Sequence, residues 1–355
     1  MQIYLSILFF KNSFFLSEVI KLKILLINDI HYCESKKYDK KQYGITYRDL
    51  CINNLIEEVY KEHVDLIVNT GDIIHDVNKL SINEISNILN VIQSTDIPQV
   101  IISGNHDRNI YNTEHGSFVS LFHKKSIRKV INESLIIDDM VFVPFMKSKE
   151  LIAELERLYN ELKGKDMLMF GHFGLDFAIP GFSDDILPYI EVKEFLSIYR
   201  QVYLGHLHLI SSKDNVKYTG SLTTHNFSDR YVNGKFLNKS GYTIIDTDTL
   251  DEQFIQTNDK LPIFIENPDI SELESDKYYY VITDNADKYK LSNVLYVNVK
   301  KDIVINKDEV KYELDKIHIS DDIISVFIEQ GINEFEDKET AMNIINYIRY
   351  QYTDT

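Results

Sequence analysis

Chemically active side chains recur at the ends of five apolar segments in this chain of 355 residues. The central block, Gly104-Asn105-His106-Asp107, follows the apolar run Gln99-Val100-Ile101-Ile102 closely. The other four blocks are Asp29-Ile30-His31, Gly71-Asp72, Gly171-His172 and Gly205-His206-Leu207-His208. Since functional side chains collect where the strands of α/β folds end, we expect the five blocks to share one site.

The donor atoms in these blocks suit divalent metal ions. Carboxylate and amide oxygens and imidazole nitrogens are ligands for manganese, iron or zinc. Two such ions about 3.5–4 Å apart can bind one phosphate, supply a hydroxide and stabilise the leaving oxygen. The candidate ligands are Asp29, His31, Asp72, Asn105, His172, His206 and His208. Each block alone is common as a turn or a buried histidine, but all five in this order indicate a two-metal site.

The spacing inside two of the blocks indicates how their ligands reach one site. Asp29 and His31 are two residues apart, as are His206 and His208. In an extended segment this spacing places both side chains on one face. Glycines within four of the blocks allow sharp turns and a close approach of neighbouring backbone. We therefore expect extended ligand-bearing segments next to tight glycine turns.

An alternation of strands and helices positions these blocks. Apolar runs predict strands at 23–27, 65–69 and 99–102, and helical periodicity predicts helices at 47–62 and 81–93. The second helix begins with a serine and has a glutamate three residues later, which is the capping-box pattern. The order β-α-β-α-β predicts a layered α/β fold. Later strands predict a second sheet packed on the first.

The composition narrows the functional class. A formal net charge of −17 argues against a chain whose whole surface binds nucleic acid, although bound divalent cations reverse the charge locally. Two cysteines imply no disulfide framework, which fits a protein of the reducing cytoplasm. If the gene is carried by a phage, that compartment is the cytoplasm of the host. The apolar segment 3–10 is too short to span a membrane. We interpret residues 1–20 as a non-functional extension, and an added strand or helix, a poorly ordered tail or a start codon assigned too early are left open.

The ordered blocks resemble the signature of the calcineurin-like metallophosphoesterase superfamily. That signature is Asp-x-His, Gly-Asp, Gly-Asn-His-Asp, a later His and Gly-His-x-His, and the resemblance covers residues 23–246. It implies an α/β sandwich of two sheets flanked by helices, with two metals at one edge. The ligands implied for one metal are Asp29, His31, Asp72 and His208. The ligands implied for the other are Asp72, Asn105, His172 and His206, which makes Asp72 the bridge.

The same resemblance implies roles for two residues of the central block. His106 would approach the scissile phosphate as an acid or a charge stabiliser. Asp107 would orient His106. Protein phosphatases of this superfamily usually have glutamate where this chain has Asp107.

Further residues are similar to those of the SbcD-type DNA repair nucleases and their tailed-phage relatives. These are Gly220-Ser221-Leu222, Phe227 and the segment 241–246. Those nucleases also carry a histidine where His75 stands, which implies a catalytic role for it. The resemblance therefore implies a DNA nuclease subunit with two manganese ions as cofactors. It would work beside an SbcC-like ATPase in recombination, repair or phage replication.

Four regions are predicted along the chain, beginning with the N-terminal extension. Residues 21–257 form the nuclease domain, 258–320 a small β-rich capping domain, and 321–355 a helical tail that binds the partner. Arg108 and Arg230 are candidate DNA contacts, because each follows a motif segment. A homodimer is left open.

Two other functions compete with the nuclease. The first is a stand-alone phosphodiesterase or phosphatase acting on small substrates, which has no need of the C-terminal third or of Gly220-Ser221-Leu222. The second is a metal-bound scaffold without catalysis, which has no need of His106 or Asp107. The identity of the metal, and endonuclease against exonuclease action, are left open.

Overall fold

Two six-stranded sheets form the larger part of the structure, which is a computed structural model. The described residues are 21–32, 41–42, 45–77, 80–108, 117–124, 127–178, 186–224, 231–232, 235–236, 239–257 and 260–299. The predictions made for residues 1–20, Phe227, Arg230 and residues 321–355 lie outside the described residues.

The strands and helices of the described residues are numbered here in chain order. The strands are β1 (Lys23–Ile27), β2 (Lys41–Gln42), β3 (Ile45–Thr46), β4 (Leu66–Asn69), β5 (Gln99–Ile102), β6 (Arg128–Ile131), β7 (Leu135–Ile137), β8 (Met140–Val143), β9 (Leu168–His172), β10 (Gly174–Leu175), β11 (Ile186–Leu187), β12 (Gln201–Gly205), β13 (Ser211–Lys213), β14 (Val216–Tyr218), β15 (Tyr231–Val232), β16 (Lys235–Phe236), β17 (Gly241–Asp246), β18 (Glu252–Gln256), β19 (Ile263–Glu266), β20 (Tyr279–Thr283) and β21 (Val294–Val299). The α-helices are α1 (Tyr47–Val59), α2 (Ile82–Ile92), α3 (Ser148–Leu162) and α4 (Tyr189–Leu196).

Each large sheet has a parallel centre. The first sheet has the order β18-β17-β1-β4-β5-β6, in which β1, β4, β5 and β6 run parallel and β17 is antiparallel to β1. The second has the order β13-β14-β12-β9-β8-β7, in which β8, β9, β12 and β14 run parallel. Because parallel strands end at the same edge, the loops that follow them lie side by side.

Alternating side chains divide the apolar residues between three layers. On β1, Ile24 and Leu26 belong to the core cluster that also contains Phe142 and Phe170 of the second sheet. Leu25 and Ile27 belong instead to the cluster formed with α1 and α2. Another cluster packs the outer face of the second sheet against α3 and α4. The period-two alternation of a strand therefore produces the α-β-β-α sandwich that the sequence predicts.

Helix α2 begins as the sequence predicts. The hydroxyl of Ser81 accepts a hydrogen bond from the backbone N–H of Glu84 (3.2 Å), and the carboxylate of Glu84 accepts one from the N–H of Ser81 (2.6 Å). These bonds satisfy two of the N–H groups that a helix start leaves without partners. The capping-box prediction is confirmed.

Strands β19, β20 and β21 form a separate three-stranded sheet. It falls within the range predicted as a capping domain, while the predicted domain bounds stay predictions. The chain divides into two compact units, residues 1–298 and 299–355, and only residue 299 of the second unit is described. Among the described residues, no helix has the length and apolar character needed to cross a membrane.

Candidate metal centre

The five sequence blocks meet at one edge of the sandwich. Asp29 lies just beyond β1, Asp72 beyond β4, and Asn105 beyond β5. The second sheet contributes His172, the last residue of β9, and the histidines that follow β12. All seven predicted ligands therefore lie in one shared centre, to which both sheets contribute.

The backbone at this edge departs from the extended conformation that the spacing suggests. The φ angles of Asp29, His31 and Asp72 are 48°, 46° and 51°, and that of His206 is 88°. These values lie in the left-handed region, which costs free energy for residues other than glycine and clusters at functional sites. The expectation of extended ligand-bearing segments is therefore wrong at both two-residue spacings. The N–H groups of Asp29 and His31 instead donate to the carbonyls of Gly71 (3.2 Å) and Asp72 (2.9 Å).

The glycine beside Asn105 is required by close packing. A Cβ atom at Gly104 would collide with the side chain of Asp72. The glycine thus lets the loop after β5 approach the loop after β4, as the sequence predicts.

Asp29, His31 and His208 form the first of two ligand clusters. Their ligand atoms all lie within 4.8 Å of one another. The Nε2 atoms of His31 and His208 are 2.9 Å apart, so the two imidazole rings direct nitrogen atoms at the same small space. The oxygens of Asp29 accept hydrogen bonds from the backbone N–H of His206 (3.0 and 3.2 Å), which ties this cluster to the loop after β12.

Asp72, His172 and His206 form the second cluster, together with Asn105. The ligand atoms of the three ionisable residues again lie within 4.8 Å of one another. The Oδ1 atom of Asn105 is 3.0 Å from Nε2 of His172 and 3.0 Å from Nδ1 of His206. The amide oxygen therefore completes a mixed set of oxygen and nitrogen donors.

One carboxylate faces both clusters. The Oδ2 atom of Asp72 is 3.3 Å from Nε2 of His172 and 3.6 Å from Nε2 of His31. Its Oδ1 atom accepts a hydrogen bond from the backbone N–H of His106 (2.9 Å), which fixes the orientation of the group. This is the position that a bridging ligand needs.

The charge states follow from burial and from the neighbouring groups. Burial favours the neutral form of Asp72, but His172 and His31 outweigh it and hold its pKa well below the usual range. Burial, together with His172, lowers the pKa of His206 to about 3. Burial also opposes the charge on His172, but Asp72 and Asp29 raise its pKa to about 9. A metal ion displaces a ligand proton of this kind, and neutral imidazole with carboxylate is a donor set that divalent cations accept.

His106 and His75 lie beside the first cluster. The ring Nδ1 of His106 is 2.5 Å from the backbone carbonyl of His75, and the two rings are stacked with centroids 5.1 Å apart. Nitrogen atoms of His31, His75 and His106 lie within 4.8 Å of one another. The carbonyl can only accept, so Nδ1 of His106 carries the proton and Nε2 is the atom that exchanges one.

The carboxylate of Asp107 binds backbone N–H groups of two loops, and the role in orienting His106 that the resemblance implies stays a prediction. One oxygen of the buried carboxylate accepts from the N–H of Gly104 (2.9 Å). The other accepts from the N–H groups of Ile73 (3.0 Å) and Ile74 (3.3 Å). Asp107 therefore holds the loop after β5 against the loop after β4, and the carbonyl of His75 orients the ring of His106.

Arg108 is engaged inside the protein. Its Nε donates to the hydroxyl of Ser103 (2.8 Å), and one terminal nitrogen donates to the carbonyl of Asn132 (2.6 Å). Burial lowers the pKa of its guanidinium. These bonds give Arg108 a structural use, and a DNA contact by this side chain stays a prediction.

Sequence reasoning missed the residues that support the ligands. The carbonyl of Thr70 accepts from Nδ1 of His172 (2.8 Å), and the ring of Phe145 lies 6.3 Å from that of His172 and 6.1 Å from that of His206. Thr70 and the neighbouring Asn28 stand directly beside ligand blocks in the sequence. Their position next to the ligands is the one sequence feature that indicates a supporting role, but no spacing rule distinguishes them from other neighbours.

Residues 22–210 match the family model described as calcineurin-like phosphoesterase. This match covers more than half of the chain. The chain belongs to the calcineurin-like phosphoesterase family. The two ligand clusters, whose His and Asp groups could hold metal ions, lie within the residues that this family model matches.

A curated relative of this phosphoesterase is the DNA double-strand break repair protein Mre11 of Sulfurisphaera tokodaii. The two are 29% identical over 208 residues, which are 53% of this chain and 49% of that protein. The chain thus spans about half the length of this relative.

Three solved structures are similar at low sequence identity. The chain matches a dimetal phosphatase from Danio rerio (12% identity, TM-score 0.40), covering 66% of this chain and 98% of that one. It also matches a putative 5'-nucleotidase from Staphylococcus aureus (11%, 0.41; 67% and 53% covered). A third match is a purple acid phosphatase from yellow lupin seeds (12%, 0.38; 67% and 52% covered).

Proposed function

We propose that this phosphoesterase is a manganese-dependent DNA nuclease subunit that hydrolyses phosphodiester bonds. The observation that carries the proposal is the carboxylate of Asp72, which lies 3.3 Å from His172 and 3.6 Å from His31 and so faces both clusters. When bound, two cations at this centre supply Lewis-acid activation of a phosphate and of water. The donor set of carboxylate, amide and imidazole groups fits manganese.

The histidine pair provides the proton chemistry of this proposal. Nδ1 of His106 is held by the carbonyl of His75, so protons enter and leave the ring at Nε2. A protonated Nε2 can donate to an oxygen of the phosphate, and a neutral one can accept a proton. The His75 ring stacks on this group and restricts its rotation.

Similarity to Mre11 favours DNA as the substrate. That relative is a DNA double-strand break repair protein, and its match extends over 208 residues. The net charge of −17 means that a polyanion approaches this surface only where cations and local basic groups compensate. The centre itself is such a place once its cations are bound.

The partner and cellular role extend the same proposal. The subunit works in the cytoplasm beside an SbcC-like ATPase, in recombination, repair or phage replication. Residues 321–355 provide the docking segment, and a homodimer is compatible with this assembly. Deletion of that segment is expected to spare the hydrolysis of a small diester and to abolish ATP-stimulated cleavage of DNA.

The proposed activity is tested by comparing three substrates. Manganese-dependent turnover is measured on linear plasmid DNA, on bis-p-nitrophenyl phosphate and on the monoester p-nitrophenyl phosphate, with and without an SbcC-like ATPase. We expect cleavage of DNA and of the diester, with the monoester much slower. The control is Asp72→Asn, which keeps the shape of the side chain and removes its charge. A preference for the monoester, or cleavage that persists in Asp72→Asn, would contradict the proposal.

A further inference from the structure

A chain of buried hydrogen bonds surrounds Asn28, the residue between β1 and the ligand Asp29. Asn28 is only 2% exposed. Its Nδ2 donates to the hydroxyl of Thr219 (2.5 Å) and to the carbonyl of Gly220 (3.1 Å). Its Oδ1 accepts from the hydroxyl of Thr70 (2.5 Å). A single carboxamide thus links the loop after β4 to the segment after β14.

The segment after β14 also holds the backbone around the first ligand block. The N–H of Leu222 donates to the carbonyl of Asn28 (2.8 Å), and the hydroxyl of Thr223 donates to the carbonyl of Ile30 (2.8 Å). Asp29 and His31 therefore alternate with two carbonyl groups that this segment fixes. Left-handed backbone persists only where its surroundings impose it, and these bonds provide that constraint.

The same chain of bonds reaches the second cluster through Thr70. Its hydroxyl donates to Asn28, while its carbonyl accepts from Nδ1 of His172 (2.8 Å). That acceptor fixes the proton on Nδ1 and turns Nε2 toward Asn105 and Asp72. Partners of metal-bound histidines set tautomer and ring orientation in this way.

We propose that Asn28 is a positioning residue that couples the two halves of the metal centre. It holds the Asp29–His31 turn on one side and, through Thr70, the imidazole of His172 on the other. Asn28 belongs to neither ligand cluster, so it acts only through other residues. This inference rests on the proposed two-cation function of the site.

The test measures manganese affinity of the full chain by isothermal titration calorimetry. Thr70→Val deletes the hydroxyl and keeps the side-chain shape and the carbonyl that faces His172, while Thr70→Ser keeps the hydroxyl. We expect Asn28→Ala and Thr70→Val to weaken manganese binding by about 10–100-fold, and Thr70→Ser to bind as the wild type does. The double variant Asn28→Ala/Thr70→Val should lose no more manganese affinity than the weaker-binding of the two single variants, because both changes break the same chain of hydrogen bonds.

A matched control separates positioning from general stability. Thr224→Val removes another buried hydroxyl, which is 2.8 Å from the hydroxyl of Ser240 rather than bonded to the ligand loops. We expect it to lower the Tm of the metal-depleted protein without weakening manganese binding. Equal loss of affinity in Thr224→Val, or wild-type affinity in Thr70→Val, would overturn the inference. If Asn28→Ala does not fold, the Thr70→Val and Thr70→Ser pair decides.

The outcome is distinguishable from failure of the proposed function. A wild-type protein that binds manganese but cleaves no diester refutes the nuclease proposal, while the affinities of the variants still support the positioning role. A wild-type protein that binds no manganese refutes both.

Discussion

The turn after β1 and the end of β9 deliver ligands to the same centre by different means. His172 is the last residue of β9 and pairs with Gly205 of β12, so the register of the sheet places it. Asp29 and His31 lie beyond their strand in left-handed conformations. Leu222 and Thr223 hold this turn by donating hydrogen bonds to the carbonyls of Asn28 and Ile30. Where the backbone is regular, sheet register suffices, and where it is strained, distant hydrogen bonds are needed.

The largest effect is expected when the side chain that lies between the two regions, Asp72, is removed. Asp72→Ala should lose both cations and all measurable hydrolysis, because its Oδ2 faces ligands from both sides. Manganese content by elemental analysis and diester turnover check this together. Retention of two manganese ions per chain would show that Asp72 is not a bridge.

A change outside both regions should separate chemistry from metal binding. His106→Ala should lower turnover by about 10²–10⁴-fold, which is the contribution typical of an acid–base group. Manganese content should be unchanged, since the backbone N–H of His106 that donates to Asp72 remains. If manganese is lost to the same degree as in Asp72→Ala, His106 is a ligand instead.

A smaller effect should appear when the turn loses one of its constraints. Thr223→Val removes the hydroxyl that donates to the carbonyl of Ile30, between Asp29 and His31. We expect about a tenfold weaker affinity for the cation of the first cluster, as for other partners of ligands. Calorimetry that resolves the two binding events provides the measurement, with Thr223→Ser as the variant that keeps the hydroxyl. Equal weakening of both events would mean that the turn is not constrained separately.

The smallest effect is expected from a change at the end of β9, where sheet register places the ligand. A Cβ at Gly171 would lie 2.7 Å from the ring of Phe173 and 3.2 Å from Leu204. Gly171→Ala should therefore lower the free energy of unfolding by about 1–3 kcal/mol through overpacking. Because the register of the sheet still places His172, the second cluster, to which His172 belongs, should keep its affinity. Denaturant titration checks the stability and calorimetry checks the affinity, and a selective loss of affinity at the second cluster would contradict the comparison.

The predictable part of this molecule is the part encoded by local pattern. The five blocks, the capping box at Ser81 and the two-sheet sandwich follow from apolar periodicity and from residue types at strand ends. Asn28 could not be found in this way, because its side-chain partners Thr219 and Thr70 are 191 and 42 residues away in sequence. Such pairings depend on how the two sheets pack together, which a short stretch of sequence does not reveal.

The structure differs from or adds to the expectations of the sequence analysis at two other places, and the physical causes cannot be read from a sequence pattern. A spacing of two residues predicts a shared face only if the backbone is extended, and Asp29 and His31 are not. A carboxylate next to a histidine in sequence can bind either its neighbour or a distant backbone. Asp107 binds the N–H group of Gly104 in its own loop and those of Ile73 and Ile74 in the loop after β4, which lies against it in the fold.

The mixed origin of the ligands has a consequence for folding kinetics. Each cluster takes donors from both sheets, and the N–H of His206 that binds Asp29 belongs to a residue 177 positions along the chain. Contacts of such long range cost loop-closure entropy before they stabilise the fold, and they slow folding. Because each cluster needs donors from both sheets, a divalent cation should bind tightly only after the two sheets have docked. Its binding should slow unfolding without accelerating folding, so that the bound cations stabilise the folded protein kinetically.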